Sequence, residues 1–296
     1  MKSVSIALAL ALFAACLLAA PAQEKGWQEV DAVLGSTGKD LADGVHKFSW
    51  PRSDLRVQKS GVSIEPALAL GSWAAFRRSH GEETVAMGDL VLLESEVAPV
   101  VDSLEKQGFE ILAIHNHLLG EEPRVLYVHF HGMGEPAAVA RTLRGALEKT
   151  KTPLTSSTKA PEPLTPDEQA TFQKVQDLLG RKGSMAGRVL QVAAPRAETI
   201  REDSFEVPAA MGMATAINFE ITGAGVATTG DFVLVASEVN PVIRELQARG
   251  IEPTALHSHM LRETPRLFFL HFWGVGAPEK IVPGLKAALA KMAVAP

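Results

Sequence analysis

Cysteine is all but missing from this 296-residue chain: Cys16 is the only one, and it lies in an apolar N-terminal stretch. If that stretch is removed, neither a disulfide nor a thiolate centre is available to the rest. Positive charge is not in surplus either, with a formal net charge of -5 and a sequence pI near 6.0. A nucleic-acid partner, which needs a clustered basic face, is therefore not expected. The chain has no Gly-x-Ser-x-Gly elbow, no His-Glu-x-x-His helix and no phosphate-cradling loop, so the common hydrolase classes lose their usual signatures. Gly132-x-Gly134 and Gly274-x-Gly276 lack the third glycine of a dinucleotide fingerprint and read as turn glycines.

What is present begins with an address. Lys2, the apolar run Ile6 to Ala20 and the small residues Ala20-Pro21-Ala22 have the layout of a signal peptide cleaved after Ala22. The run is short for a membrane span and polar Gln23-Glu24-Lys25 follows it, so no transmembrane segment is expected in the mature chain. Phe13-Ala14-Ala15-Cys16 loosely resembles a lipoprotein box, which makes lipidation at Cys16 the lesser alternative. The protein is thus expected in the periplasm or outside the cell. The remainder, within a chain that is 46% hydrophobic and 21% charged, has ordinary globular composition and suits two medium domains.

Those domains are related. Gly88-Asp89-Leu90-Val91-Leu92 returns as Gly230-Asp231-Phe232-Val233-Leu234, and at one constant offset His115-Asn116-His117 meets His257-Ser258-His259. Pro123-Arg124 meets Pro265-Arg266, and His129-Phe130 meets His271-Phe272; about half the positions from Gly88 to Pro136 are identical. The division is a signal peptide over 1-22, a first repeat over 23-150, a Thr/Ser/Pro/Lys-rich linker over 151-166 and a second repeat over 167-296. Asp89 to Leu93 reads as a buried strand, Val97 to Gln107 as a helix stopped by Gly108, Phe109 to His117 and Val125 to His131 as strands, and Pro136 to Lys149 as a second helix. The fold class is therefore α+β: a tandem duplication of a β-α-β-β-α unit, with small, mostly antiparallel sheets carrying helices on one face. A helix and a hairpin are expected to precede each unit.

Seven of the nine histidines fall in these hairpins. Alternation puts His115 and His117 on one strand face, and His129 and His131 on one face opposite Leu126, Val128 and Phe130, which are better core material. Two imidazoles at spacing two on a strand offer two nitrogen donors from one side, suited to zinc first and also to iron, copper or manganese. His115, His117, His129, His131, His257, His259 and His271 are the candidate metal ligands, and Trp273 stands where a fourth histidine of the second repeat would be. In a symmetric hairpin around Gly120-Glu121, His129 would lie opposite Leu112 and too far from His115, so either the connection is bulged or the two repeats complete one site across a pseudo-twofold. The second arrangement is slightly preferred.

Other residues are weaker candidates for holding a ligand: Glu96 and Glu238, which also suit a helix N-terminus, and Glu121, Arg124, Glu263 and Arg266 beside the hairpins. The string His-x-His-x3-Glu is similar to the first metal motif of cupins, but the helix just upstream does not suit a jelly roll. Gly88-Asp-Leu-Val-Leu, Glu96-Val-Ala-Pro99, Ala113-Ile-His115-Asn-His117-Leu-Leu, Pro123-Arg124 and His129-Phe-His131-Gly together resemble the LppY/LpqO family, exported bacterial proteins catalogued as a domain of unknown function. The resemblance covers both halves and implies architecture and export, not an activity. The leading expectation is a metal-binding protein, with a metal-activated water making it a hydrolase although no general base stands out. The alternative is a non-enzymatic module with a cleft between domains for a small molecule or an envelope component. N-terminal sequencing of the exported protein is expected to begin at Gln23; a blocked N-terminus at Cys16 would show the lipoprotein route instead.

Overall fold

The computed structural model describes residues 26–79, 81, 83–155 and 162–295; the signal segment 1–22 lies outside the described residues. In the first repeat, helix α1 (Gln28–Leu34) precedes strands β1 (Lys39–Asp40), β2 (Val45–Pro51), β3 (Gly71–Arg78) and β4 (Thr84–Leu93). Helix α2 (Glu94–Glu105), strands β5 (Glu110–His115) and β6 (Val125–Gly134) and helix α3 (Pro136–Leu147) complete it. The second repeat follows the same order: α4 (Pro166–Leu179), β7 (Ser184–Ala186), β8 (Val189–Pro195), β9 (Ala214–Thr222), β10 (Gly225–Leu234), α5 (Ala236–Gln247), β11 (Glu252–His257), β12 (Phe268–Gly276) and α6 (Pro278–Leu289).

Local chemistry accounts for several boundaries. Thr165 caps α4 by accepting from the Glu168 N–H, Glu168 answers on the Thr165 N–H, and Pro166 fills the first helical position. Gly180 closes the same helix with φ 76°, a left-handed turn that a side chain resists. Each repeat forms a six-stranded sheet, in the orders β1-β2-β3-β4-β6-β5 and β11-β12-β10-β9-β8-β7, with every neighbouring pair antiparallel. Strands β4 and β5, joined by α2, are therefore parallel to each other with β6 inserted between them.

The helices cover one face of each sheet. Val30, Leu34, Val100, Leu104, Val139 and Leu143 from the helices meet Phe48, Phe76, Leu90, Val128 and Phe130 from the first sheet. A matching core lies under α4, α5 and α6. The other faces meet each other: Val85, Met87 and Leu112 pack with Met213, Val233, Met260 and Phe269, and Val91, Val125 and Tyr127 with Val189, Ala227 and Trp273. The layers therefore run helices, sheet, sheet, helices. This explains why β4 is buried on both sides and reads as an apolar run interrupted by a single acid, Asp89. Where the histidine-bearing sheet faces meet, the cleft anticipated between the domains is instead a packed interface. It is also laced by polar side chains, because Lys47 Nζ donates to Ala210 O, Gln191 Nε2 to Ala67 O and Asn218 Nδ2 to Leu68 O, each at 3.0 Å.

A second duplicated feature anchors each sheet to its helix. The fully buried Arg52 guanidinium donates to Val91 O and Glu96 Oε2, both at 2.7 Å, and to Asp54 Oδ1 at 2.9 Å. Arg196 does the same with Val233 O, Glu238 Oε2 and Glu198 Oε2. Glu96 and Glu238 also accept the backbone N–H groups of Leu93 and Val235, which start α2 and α5. Their oxygens are thus committed to the fold, not presented to a ligand. Replacing Glu96 with Ala strands a buried cation, so Glu96→Ala is expected to cost about 3–5 kcal/mol of stability in urea unfolding. The paired change Arg52→Met with Glu96→Leu should cost markedly less.

Candidate functional site

The interface between sheets is where the histidines gather. On β6, Val125, Tyr127 and His129 face inward, away from the helices. The neighbouring strand places Asp89 directly opposite His129, and in the second repeat Asp231 opposite His271. On the outer side, β5 carries a bulge between Ile111 and Ala113, so Ala113 and not Leu112 pairs with His129. The same irregularity between Pro253 and Ala255 sets Ala255 against His271. The extra residue shortens the offset from His115 from three positions to two, which puts His115 and His129 on one face with their rings 5.0 Å apart and nearly parallel. His115 and His257 end their strands, and His117 and His259 follow in the connecting loops.

The two repeats then interleave. His115 stacks on His257 with centroids 3.6 Å apart, His117 on His271 at 3.8 Å and His129 on His259 at 3.7 Å. Each contact joins one repeat to the other, and the pairs exchange under the repeat symmetry, as an isologous contact requires. Tyr127 covers His117 at 3.3 Å and Phe269 covers His259 at 3.4 Å, so aromatic faces close both ends of the group. His129, His259 and His271 are buried, whereas His115, His117 and His257 are half-buried and lead to solvent.

Hydrogen bonding fixes several tautomers. Nδ1 of His271, His129 and His257 lies 2.9, 3.2 and 3.3 Å from the carbonyls of Gly230, Gly88 and Ser258. A carbonyl only accepts, so each Nδ1 carries the proton and each Nε2 presents a lone pair. His271 Nε2 and His257 Nε2 face each other at 2.9 Å. Both nitrogens of His115 and of His259, Nε2 of His117 and of His129, and Oδ1 of Asp89 are buried without a hydrogen bond of normal geometry. Seven of the ten such atoms among the described residues are thus in this one place, each costing about 1–3 kcal/mol if left unsatisfied. Two donor sets have ligand atoms within 4.8 Å of one another: His115, His257, His259 and His271, and Asp89, His115 and His129.

Electrostatics follow from burial. Desolvation holds all six imidazole pKa values down, to about 4 at His257 and about 3 at His271, and neighbouring imidazoles add to this at the other five. The rings are therefore neutral, the form that ligates a cation. Burial raises the carboxyls, with Asp231 near 7 despite Lys47, and Asp89 pushed well up by burial and by Asp231.

The structure does not bring His131 into the group. Its Nδ1 lies 3.4 Å from Glu110, itself held by Arg262, because the strand carries His131 past the bulge toward the rim. Glu121 is buried and accepts from Val125 N, Glu263 accepts from Leu267 N and Arg266, and Arg266 also donates to Ser258 Oγ. These side chains brace the hairpin loops, and Arg124 is exposed. Asp89 and Asp231 were missed as site residues. Their one signal was a lone acid repeated in both halves within a largely apolar strand; the strand register, not the sequence, places it against the histidines.

A family model described as Domain of Unknown Function (DUF1259) matches twice, over residues 28–149 and 173–291. The chain belongs to this family. It carries two copies of the family domain, in keeping with the duplicated sheets. No curated protein matches the chain. Among solved structures it is similar to the trimeric bacterial microcompartment shell protein PduB, at 12% identity over 86% of this chain and 90% of that one, TM-score 0.21. The fused permuted hexameric shell protein MSM0275 from the RMM microcompartment gives 14% identity over 83% and 94%, TM-score 0.18. EtuB from Clostridium kluyveri gives 9% identity over 86% and 90%, TM-score 0.20. At such TM-scores nothing about this chain follows from the likeness.

The depressed imidazoles make acid the sensitive side of the metal-free protein. Between pH 6.5 and about 4 the unfolded chain protonates these six histidines, which the folded chain keeps neutral, and His131 is depressed as well, whereas the raised carboxyls among the described residues number four, Asp89, Glu202, Glu220 and Asp231. The unfolded state binds more protons, so stability falls as pH falls through this window. Thermal melts of chelator-treated protein should show Tm decreasing from pH 7 to pH 5; a flat or rising Tm would contradict the burial of these rings.

Proposed function

We propose that this protein binds a divalent transition metal between its two repeats, with zinc the first candidate. One observation carries the reading: a set of neutral imidazoles whose Nδ1–H groups bond to backbone carbonyls and whose other nitrogens converge without a partner. That is the way metal-bound histidines are oriented, with the second nitrogen fixed by a carbonyl. The 2.9 Å between His257 Nε2 and His271 Nε2 is a repulsive contact between two lone pairs, which a shared cation would relieve by opening it to the ~3.4 Å that separates tetrahedral ligands at ~2.1 Å. Nitrogen donors with a carboxylate nearby and no thiolate suit zinc, copper, nickel or iron better than calcium or magnesium.

Binding is favoured over turnover of a large substrate. The void beside His129 and His259, walled by Trp73, Met87, Leu112 and Met213, has room for little more than a water molecule. A metal-activated water at the half-buried His115 and His257 end is the hydrolytic chemistry such a centre would supply. The likeness of the hairpin motif to LppY/LpqO proteins and the signal-like segment 1–22 support a periplasmic or secreted location. A second reading, a module for a small molecule or an envelope component, has one feature in its favour: an open groove of about 490 Å³ between Ser60–Glu65 and Glu220–Ala224.

Metal analysis of the purified full chain after zinc loading is expected to find at least one zinc per chain. Chelation should lower Tm on the order of 10 °C, and His257→Ala with His271→Ala should abolish that difference. Metal-free protein under zinc-replete conditions, with melting indifferent to chelator, would end the proposal.

A further inference from the structure

We infer that the centre holds two cations per chain, with the His115 imidazole between them. The inference rests on the metal-binding reading above and adds a count and a placement to it. Two donor sets converge here, one all nitrogen (His115, His257, His259, His271) and one with a carboxylate (Asp89, His115, His129). His115 is the member they share, and both of its ring nitrogens are buried and make no hydrogen bond of normal geometry, although the Tyr127 backbone lies beside the ring. It also lies at the middle of the group, with centroids 3.6 Å from His257, 5.0 Å from His129, 5.1 Å from His117 and 5.4 Å from His271.

The repeat symmetry would allow a carboxylate site at either Asp89 or Asp231, and the surroundings choose between them. Asp231 accepts from Ala216 N at 3.3 Å and has the Lys47 ammonium as a charge partner. The counterpart of Lys47 in the second sheet is Gln191, which makes the equivalent bond to the opposite repeat but carries no charge. Asp89 consequently lacks that ammonium. Its Oδ1 is unpartnered, and its Oδ2 lies 3.5 Å from His117 Nε2 and 3.7 Å from His129 Nε2, neither of which has another partner. A cation at Asp89 takes the part that Lys47 plays at Asp231.

One imidazole serves two cations through its two nitrogens, releasing its remaining ring proton to solvent. The first cation is then held by His257, His259, His271 and one nitrogen of His115. The second is held by Asp89, His129 and the other nitrogen of His115. The first set has the four donors usual for zinc; the second has three, with His117 Nε2 beside them at 3.5 Å from Asp89 Oδ2, and is the harder of the two.

Zinc per chain is counted on the full chain, stripped and reloaded with zinc, by elemental analysis against amino-acid analysis. Two per chain is expected, falling to one in Asp89→Asn, which keeps the side-chain shape. His115→Ala should weaken retention of both ions at least tenfold in competition with a chromophoric chelator. One zinc per chain in the unaltered protein overturns the two-cation arrangement while leaving the metal-binding reading in place, and none overturns both. Two zinc ions undisturbed by Asp89→Asn, or retention unchanged in His115→Ala, overturns the placement even though the metals bind. The count on the unaltered chain decides irrespective of how any variant folds.

Discussion

The arrangement depends on closing two sheets face to face over six imidazoles whose lone pairs no protein donor satisfies. Apolar side chains on both sides of the group, among them Val85, Met87, Val91 and Phe269, exclude water and hold the sheets together. The same closure strips the histidines of solvent, keeps them neutral and leaves their nitrogens aimed at one another. A core this tightly closed tolerates unpaired polar atoms badly, which makes their concentration at one point a statement about what belongs there.

Duplication supplies the means. A single repeat would expose its inward sheet face, with His115, His117 and His129 spread along a hairpin; a second copy both covers that face and interdigitates its own rings. Divergence then breaks the equivalence. Trp273 fills hydrophobic space where the first repeat has His131 at the rim, and Lys47 gives Asp231 a charge partner that Gln191 does not give Asp89. The outcome is a nearly symmetric donor set in an asymmetric field.

Much of this was legible in the chain. The constant offset between Gly88 to Pro136 and its second copy identified the repeat, the apolar spacing of Val97, Val100, Val101 and Leu104 identified a helix, and alternation sorted Val128 and Phe130 from His129. A bulge was one of the two ways to close the offset, but its place at Ile111 to Ala113 was not legible, because an inserted residue leaves the alternation of neighbouring side chains intact on either side. Nor was the place of Asp89, which looks like a simple repeat landmark until the register puts it against His129.

Periodicity and repetition within the sequence determined the elements, their order, the number of copies and the strand face on which the paired histidines lie, since these follow from local geometry. Which histidines meet, that His131 stays outside while Asp89 comes in, and that Glu96 and Glu238 serve buried arginines were decided only by the tertiary structure. Those outcomes depend on strand register and on one sheet docking against another, relations between residues far apart in the chain that no local pattern encodes.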